Sequence, residues 1–157
     1  MTDIIKIENG KVYGAWRHGI NAAQGVKGSI HEDATAQKIG MRGGTVAGTV
    51  HLDLFAPLVQ KVFGKKWFEQ GSISMFFTYA TIHHEEVRAV IDMPPTGEKD
   101  VQVKGCVEMK DGRISMEGTV ACGKPMVKCH LATIAMKDAN QADMRILNNW
   151  KIGEVQE

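Results

Sequence analysis

One change of period divides this chain. From about Thr45 to Phe63, the residues Val46, Val50, Leu54, Leu58 and Val62 recur at near four-residue spacing, with Ala47, His51 and Phe55 beside them. From Ser72 onward the apolar residues recur at every second position instead. The first pattern aligns side chains on one face of a helix, the second on one face of a sheet. The chain therefore reads as one long, mostly buried helix followed by an antiparallel meander. A lone helix of this length buries itself only by lying across a curved sheet, so the expected fold class is α+β, an antiparallel sheet wrapped around one long central helix. Pro57 removes a backbone donor inside the helix and predicts a kink or an early end.

The strands of the meander are expected at Ser72 to Ile82, Glu85 to Asp92, Val101 to Met109, Ile114 to Ala121 and Val127 to Met136. Lys110-Asp111-Gly112-Arg113 carries the strongest hairpin signal, an Asp-Gly pair between two alternating runs. Gly123-Lys124-Pro125 supplies another turn. Upstream, Lys11 to Asn21 is strand-like through Val12, Tyr13 and Trp16, and a loop follows at Gly25 to Gly28. Asp33 stands where a helix N-cap belongs, ahead of Ala34 to Ile39, and Gly40 supplies a left-handed closing residue. Length and the lack of a linker give one domain over residues 1–136 and a C-terminal extension over 137–157, in which Met144, Ile146, Leu147 and Trp150 suggest a docked helix.

Composition narrows the partners. Nineteen basic and 18 acidic residues are spread along 157 positions for a formal charge of +1, so no phosphate-backbone footprint is evident and no nucleic acid is expected. No apolar run approaches the roughly 18 residues that a membrane span needs, and Met1 to Lys6 lacks a leader pattern, so no membrane partner and a cytoplasmic location are expected. Cys106, Cys122 and Cys129 fit no paired spacing and are read as free, buried thiols. His83-His84-Glu85-Glu86 has the composition of a metal site, yet adjacent residues on a strand point apart, and a polar turn explains them better. No metal and no cofactor are expected.

Ile30-His31-Glu32-Asp33, Gly40-Met41-Arg42-Gly43 and Val46-Ala47-Gly48 resemble the hydratase motif of the MaoC-like, (R)-specific enoyl-CoA hydratases and dehydratases, and the order of elements resembles their hotdog fold. That family carries an aspartate five residues, and an asparagine three residues, before its histidine. Here those positions are Val26 and Gly28, so the chain diverges at the catalytic aspartate. Ser29 replaces the usual proline, and Ala47 the histidine of an Ala-His-Gly triplet. The resemblance implies an acyl thioester substrate, a homodimer with sites near the subunit boundary, and a Gly48 backbone amide directed at the thioester carbonyl.

His31 is then the candidate acid/base, because an imidazole titrating near pH 6.5 serves both directions of proton transfer. Asp53, on a polar stripe of the long helix with Thr49 and Gln60, is the candidate replacement for the missing carboxylate, in a placement similar to that of the glutamate in β-hydroxyacyl-carrier-protein dehydratases. Gly48, Thr49, Val26 and Trp16 are the candidate oxyanion and substrate-binding residues. Asp33 is expected to be structural, as an N-cap, and His51 a satisfied core histidine. The expected activity is acid/base addition or removal of water on an enoyl-CoA or 3-hydroxyacyl-CoA. A hotdog acyl-CoA thioesterase and a non-catalytic acyl-binding protein are the alternatives.

Overall fold

The computed structural model describes residues 4–134. Three short strands, β1 (Lys6–Glu8), β2 (Lys11–Tyr13) and β3 (Arg17–His18), lead to helix α1 (Asp33–Lys38). Helices α2 (Gly48–Asp53), α3 (Ala56–Phe63) and α4 (Lys66–Gln70) follow, and then strands β4 (Gly71–Phe77), β5 (Glu86–Asp92), β6 (Val101–Met109) and β7 (Ile114–Cys122). A last turn of helix, α5, covers His130–Thr133. All strand pairs are antiparallel, in the order β1-β2-β5-β6-β7-β4, with β3 also paired to β5.

The two-residue period of β6 and β7 has the expected effect. Val101, Val103, Val107 and Met109 turn to one face with Met116 and Val120, where they meet Phe55, Leu58 and Val59 of the helical layer; all are buried. Removing a side chain such as Leu58 from this layer costs about 2–5 kcal/mol through lost transfer energy and the cavity left behind. Gly112 closes the β6–β7 hairpin at φ +90°, the left-handed conformation that its Asp-Gly signal predicts.

Four expectations are corrected. The long helix is two helices, because Pro57, second residue of α3, cannot donate to the Asp53 carbonyl one turn back and its ring crowds that position. Leu54 and Phe55 carry the chain between them through i→i−3 bonds to His51 and Leu52. Residues 127–134 form no strand: this segment crosses the sheet face away from the helices, held by Thr119 Oγ1 and Ser74 Oγ on the His130 and Leu131 amides. Tertiary hydrogen bonds here outweigh a β-rich composition. The span from Lys11 to Asn21 is interrupted between Tyr13 and Arg17, so that β2 and β3 share one neighbour, β5. Of the three thiols, Cys122 is buried, Cys106 half-buried and Cys129 exposed, against the expectation that all are buried. The extension over 137–157 lies outside the described residues.

Candidate active site

The segment from His31 to Gly48 is bent back on itself by glycines and fastened by hydrogen bonds. Helix α1 ends in a Schellman motif: Gly40, at φ +87°, donates to the Gln37 carbonyl, and Met41 donates to that of Ala36. Asp33 is the first residue of α1 and not its cap; Glu32 precedes the helix and accepts from Thr35 Oγ1 and from the Gly28 amide. The Asp33 carboxylate instead accepts the Gly44 amide at 2.7 Å, tying the break to the helix start. Asp33 thus does not cap α1 as expected but bonds the Gly44 amide.

His31 is held at both ends of its residue. Its amide donates to Ser29 Oγ, its carbonyl accepts from the buried Asn21 amide at 2.8 Å, and its ring Nδ1 lies 2.6 Å from the Thr45 carbonyl. A carbonyl only accepts, so Nδ1 carries a proton, and in the neutral ring Nε2 is the nitrogen with the free lone pair. Nε2 makes no hydrogen bond among the described residues, and His31 lines a cavity of about 370 Å3. Ile30, Met41, Val46, Phe77 and Ala80 give this cavity apolar walls.

Gly48 opens α2 in the same wall. Its amide, first in the helix, has no partner within the turn and finds no acceptor among the described residues. A Cβ at this position would lie 2.7 Å from Cζ of Phe77, so a glycine is what lets the Phe77 ring close against the helix start.

His51 also reaches the cavity wall, as a residue whose bonding is complete. It is 2% exposed; Nδ1 donates to the Ala47 carbonyl at 3.2 Å, so Nε2 accepts from Thr81 Oγ1 at 2.6 Å. Burial holds its pKa below the usual histidine range and so favours the neutral ring, an effect partly opposed by the Ala47 bond. The other hydroxyls of the wall are turned to the protein as well. Thr45 Oγ1 donates to Ile30, Thr78 Oγ1 to Ile114 and Ser115 Oγ to Tyr79, all at backbone carbonyls, while the Tyr79 oxygen accepts from Arg113. Arg42 stacks on the Tyr79 ring and forms a two-bond pair with Glu85 at the rim. Burial alone would raise the Glu85 pKa, but the Arg42 guanidinium and the Ile82 amide hold it below the usual range.

Four of the expected site residues are not brought to this cavity. Asp53 is exposed at the end of α2, where Pro57 stops the helix, and makes no hydrogen bond or ion pair among the described residues. Thr49 is exposed on the outward side of α2, and Val26 is 56% exposed in the loop before His31. Trp16 packs under Arg88 and Lys110, with the cations 4.4 and 4.6 Å from its ring, away from the cavity. No group of His, Cys, Asp or Glu side chains among the described residues is arranged to hold a metal ion. No described helix is long and apolar enough to cross a membrane. Asn21 is the residue the sequence did not single out; a polar side chain ten positions before His31 in an irregular loop gives no periodic signal.

No protein-family model and no curated protein sequence matches the chain. Solved structures do. An (R)-hydratase from A. caviae involved in PHA biosynthesis aligns with a TM-score of 0.56 at 17% identity, over 76% of this chain and 98% of that one. The R-hydratase PhaJ1 from Pseudomonas aeruginosa aligns with a TM-score of 0.54 at 14% identity, over 85% and 92%. A monoamine oxidase regulatory protein from Archaeoglobus fulgius aligns at 0.51 and 15%, over 74% and 89%. At such identities the likeness is one of architecture, and it agrees with the antiparallel sheet and its helical layer: the chain has the hotdog fold.

Proposed function

We propose that this chain is a MaoC-like hydratase or dehydratase acting on an acyl thioester, with His31 as its single acid/base. The observation that carries the reading is the shared cavity: His31, whose Nδ1 bonds the Thr45 carbonyl, and Gly48, whose amide finds no acceptor among the described residues, line the same largely apolar space. In hydration, Nε2 takes a proton from water as the oxygen bonds to the β-carbon of the enoyl group. The electron pair moves to the thioester oxygen, where the Gly48 amide stabilises the enolate. The imidazolium then returns the proton to the α-carbon, giving the 3-hydroxyacyl product. One residue does what the family divides between two, and the Thr45 carbonyl, which accepts from Nδ1, steadies the imidazolium in between.

The test is hydration of a short trans-2-enoyl-CoA, followed by loss of enoyl absorbance, with thiol release measured in parallel. His31→Ala is expected to lower the rate about a hundredfold or more in folded protein. A near-normal rate would remove His31 from the chemistry, and thiol release without loss of the enoyl group would make the enzyme a thioesterase.

The proposed active form is a homodimer joined along β4. This edge strand, Gly71–Phe77, has no proline and no charged residue, and it exposes Phe76 and Phe77 by 47% and 48%. Such an edge invites a second strand. Phe76→Lys is expected to yield monomers in light scattering, and an unchanged mass would place the interface elsewhere.

A further inference from the structure

Between the turn after β4 and the His31 loop lies a chain of hydrogen bonds for which neither the fold nor the proposed chemistry has yet given a reason. Asn21 is 4% exposed. Its Nδ2 donates to the His31 carbonyl at 2.8 Å and to the Gly44 carbonyl at 3.2 Å, while Oδ1 accepts from the Ala23 amide at 3.2 Å. Two carbonyls on one side and an amide on the other fix the orientation of the side chain without ambiguity. Its own amide donates to Nδ1 of His83 at 3.0 Å. An N–H donor requires a bare Nδ1, so His83 must be in the tautomer protonated at Nε2.

The turn bearing His83 is fastened to the same segment on both sides. The His84 amide donates to the Gly19 carbonyl at 2.8 Å, and Nδ1 of His18 bonds the His84 carbonyl at 3.0 Å. The Gly19 amide in turn donates to Glu85. Asn21 is thus the joint at which three segments meet: the β3 end, the His31 loop, and the Gly43-Gly44 break that leads to Gly48. The Asn21 side chain sets where the His31 carbonyl and the Gly44 carbonyl sit relative to each other, and the Thr45 carbonyl that fixes the imidazole tautomer follows directly after Gly44.

We propose that Asn21 and His83 are positioning residues for His31: His83 accepts the Asn21 amide, and Asn21 holds the His31 loop so that the imidazole keeps Nδ1 on the Thr45 carbonyl and Nε2 in the cavity. The catalytic consequence rests on His31 being the acid/base of the proposed hydration; the orientation of its ring does not. Misplacement of a reacting group by about 1 Å costs on the order of a hundredfold in rate.

The experiment compares three variants with the wild type, by steady-state kinetics on trans-2-butenoyl-CoA and by nitrogen-15 NMR of the imidazoles. His83→Phe keeps a ring but removes the acceptor. His83→Asn places an amide oxygen near the position of Nδ1 and restores it. Asn21→Asp keeps the shape but cannot donate to either carbonyl. His83→Phe and Asn21→Asp are expected to lower kcat about tenfold or more with KM little changed, and to replace the fixed Nδ1–H signature of His31 with an averaged one. His83→Asn is expected to return both readouts to near wild type.

Wild-type kcat and a fixed His31 tautomer in folded His83→Phe would overturn the proposal, as would a His83→Asn variant no better than His83→Phe. Should Asn21→Asp not fold, the two His83 variants decide. Should the wild type hydrate no enoyl thioester, the proposed function fails while the NMR readout still decides the positioning.

Discussion

Gly43 and Gly44 look interchangeable in the sequence, and the structure predicts that replacing them with alanine has very different results. A Cβ on Gly44 would stand 2.1 Å from the His31 carbonyl oxygen and 2.7 Å from its carbon, where real Cβ atoms keep at least 3.0 Å. Both obstacles are backbone, so the two segments must part. Parting them strains the bonds from Asn21 Nδ2 to the His31 and Gly44 carbonyls, from Thr45 to Ile30, and from Gly44 to Asp33. Losing two of these at about 1 kcal/mol each, and stranding a buried amide at about 1–3 kcal/mol, gives roughly 3–5 kcal/mol. The stiffer unfolded chain returns only about 0.4–1 kcal/mol. A net loss of about 3 kcal/mol lowers Tm by roughly 6–12 °C for a chain of this size. On Gly43 the added Cβ meets Asp33 Oδ1 at 3.1 Å and Ile82 Cγ2 at 3.6 Å, side-chain atoms that give way, so the cost stays within about 1 kcal/mol. Urea and thermal unfolding of the two variants measure the difference. Equal losses, or a Gly44→Ala variant within about 1 kcal/mol of wild type, would refute the close approach at His31.

Gly48→Ala is expected to separate stability from activity. The half-exposed Phe77 ring can swing away, forfeiting an edge contact with His51 worth about 0.5–1.5 kcal/mol, but the methyl and the displaced ring obstruct the cavity. Hydration should fall sharply while the urea midpoint moves little; unaltered turnover would show that no substrate approaches this amide. Acid should destabilise the wild type through His51. Its folded pKa lies below the unfolded value of 6.5, so the unfolded state takes the proton first, and stability present above that value is lost as the pH falls through the folded pKa. A His51→Gln variant should show a flatter urea midpoint between about pH 7 and pH 5, and an identical slope in both proteins would assign the acid sensitivity to other groups.

Strands β5 to β7 are legible because their signals are local. Val101 to Met109 alternates strictly and forms β6 over those same residues, and Asp111-Gly112 marks its hairpin. Pro57 announced an interruption, although not that the helix would divide into separate pieces at Leu54 and Phe55. His31 and Gly48 stand in a motif whose spacing carries them, and both line one cavity. The place of Asp53 in the site depends on a continuous helix, and the break leaves it exposed at a helix end. Asn21, His83 and the Asp33 bond to Gly44 are fixed by the meeting of distant segments. No periodicity encodes such meetings.

The inward-turned hydroxyls of the cavity wall bear on selectivity. Thr45, Thr78, Thr81 and Ser115 have given their protons to protein acceptors, and of the wall hydroxyls only Tyr79, which accepts from Arg113, keeps its own, so an acyl chain bound as proposed would meet mainly carbon. A wall of that kind gauges length and bulk, at about 1–3 kcal/mol for each methylene, and rejects an added polar substituent weakly. A panel of thioesters graded in chain length should therefore be sorted steeply, while hydroxylated chains of equal length and bulk should be turned over side by side: the pocket would be a ruler more than a reader of functional groups.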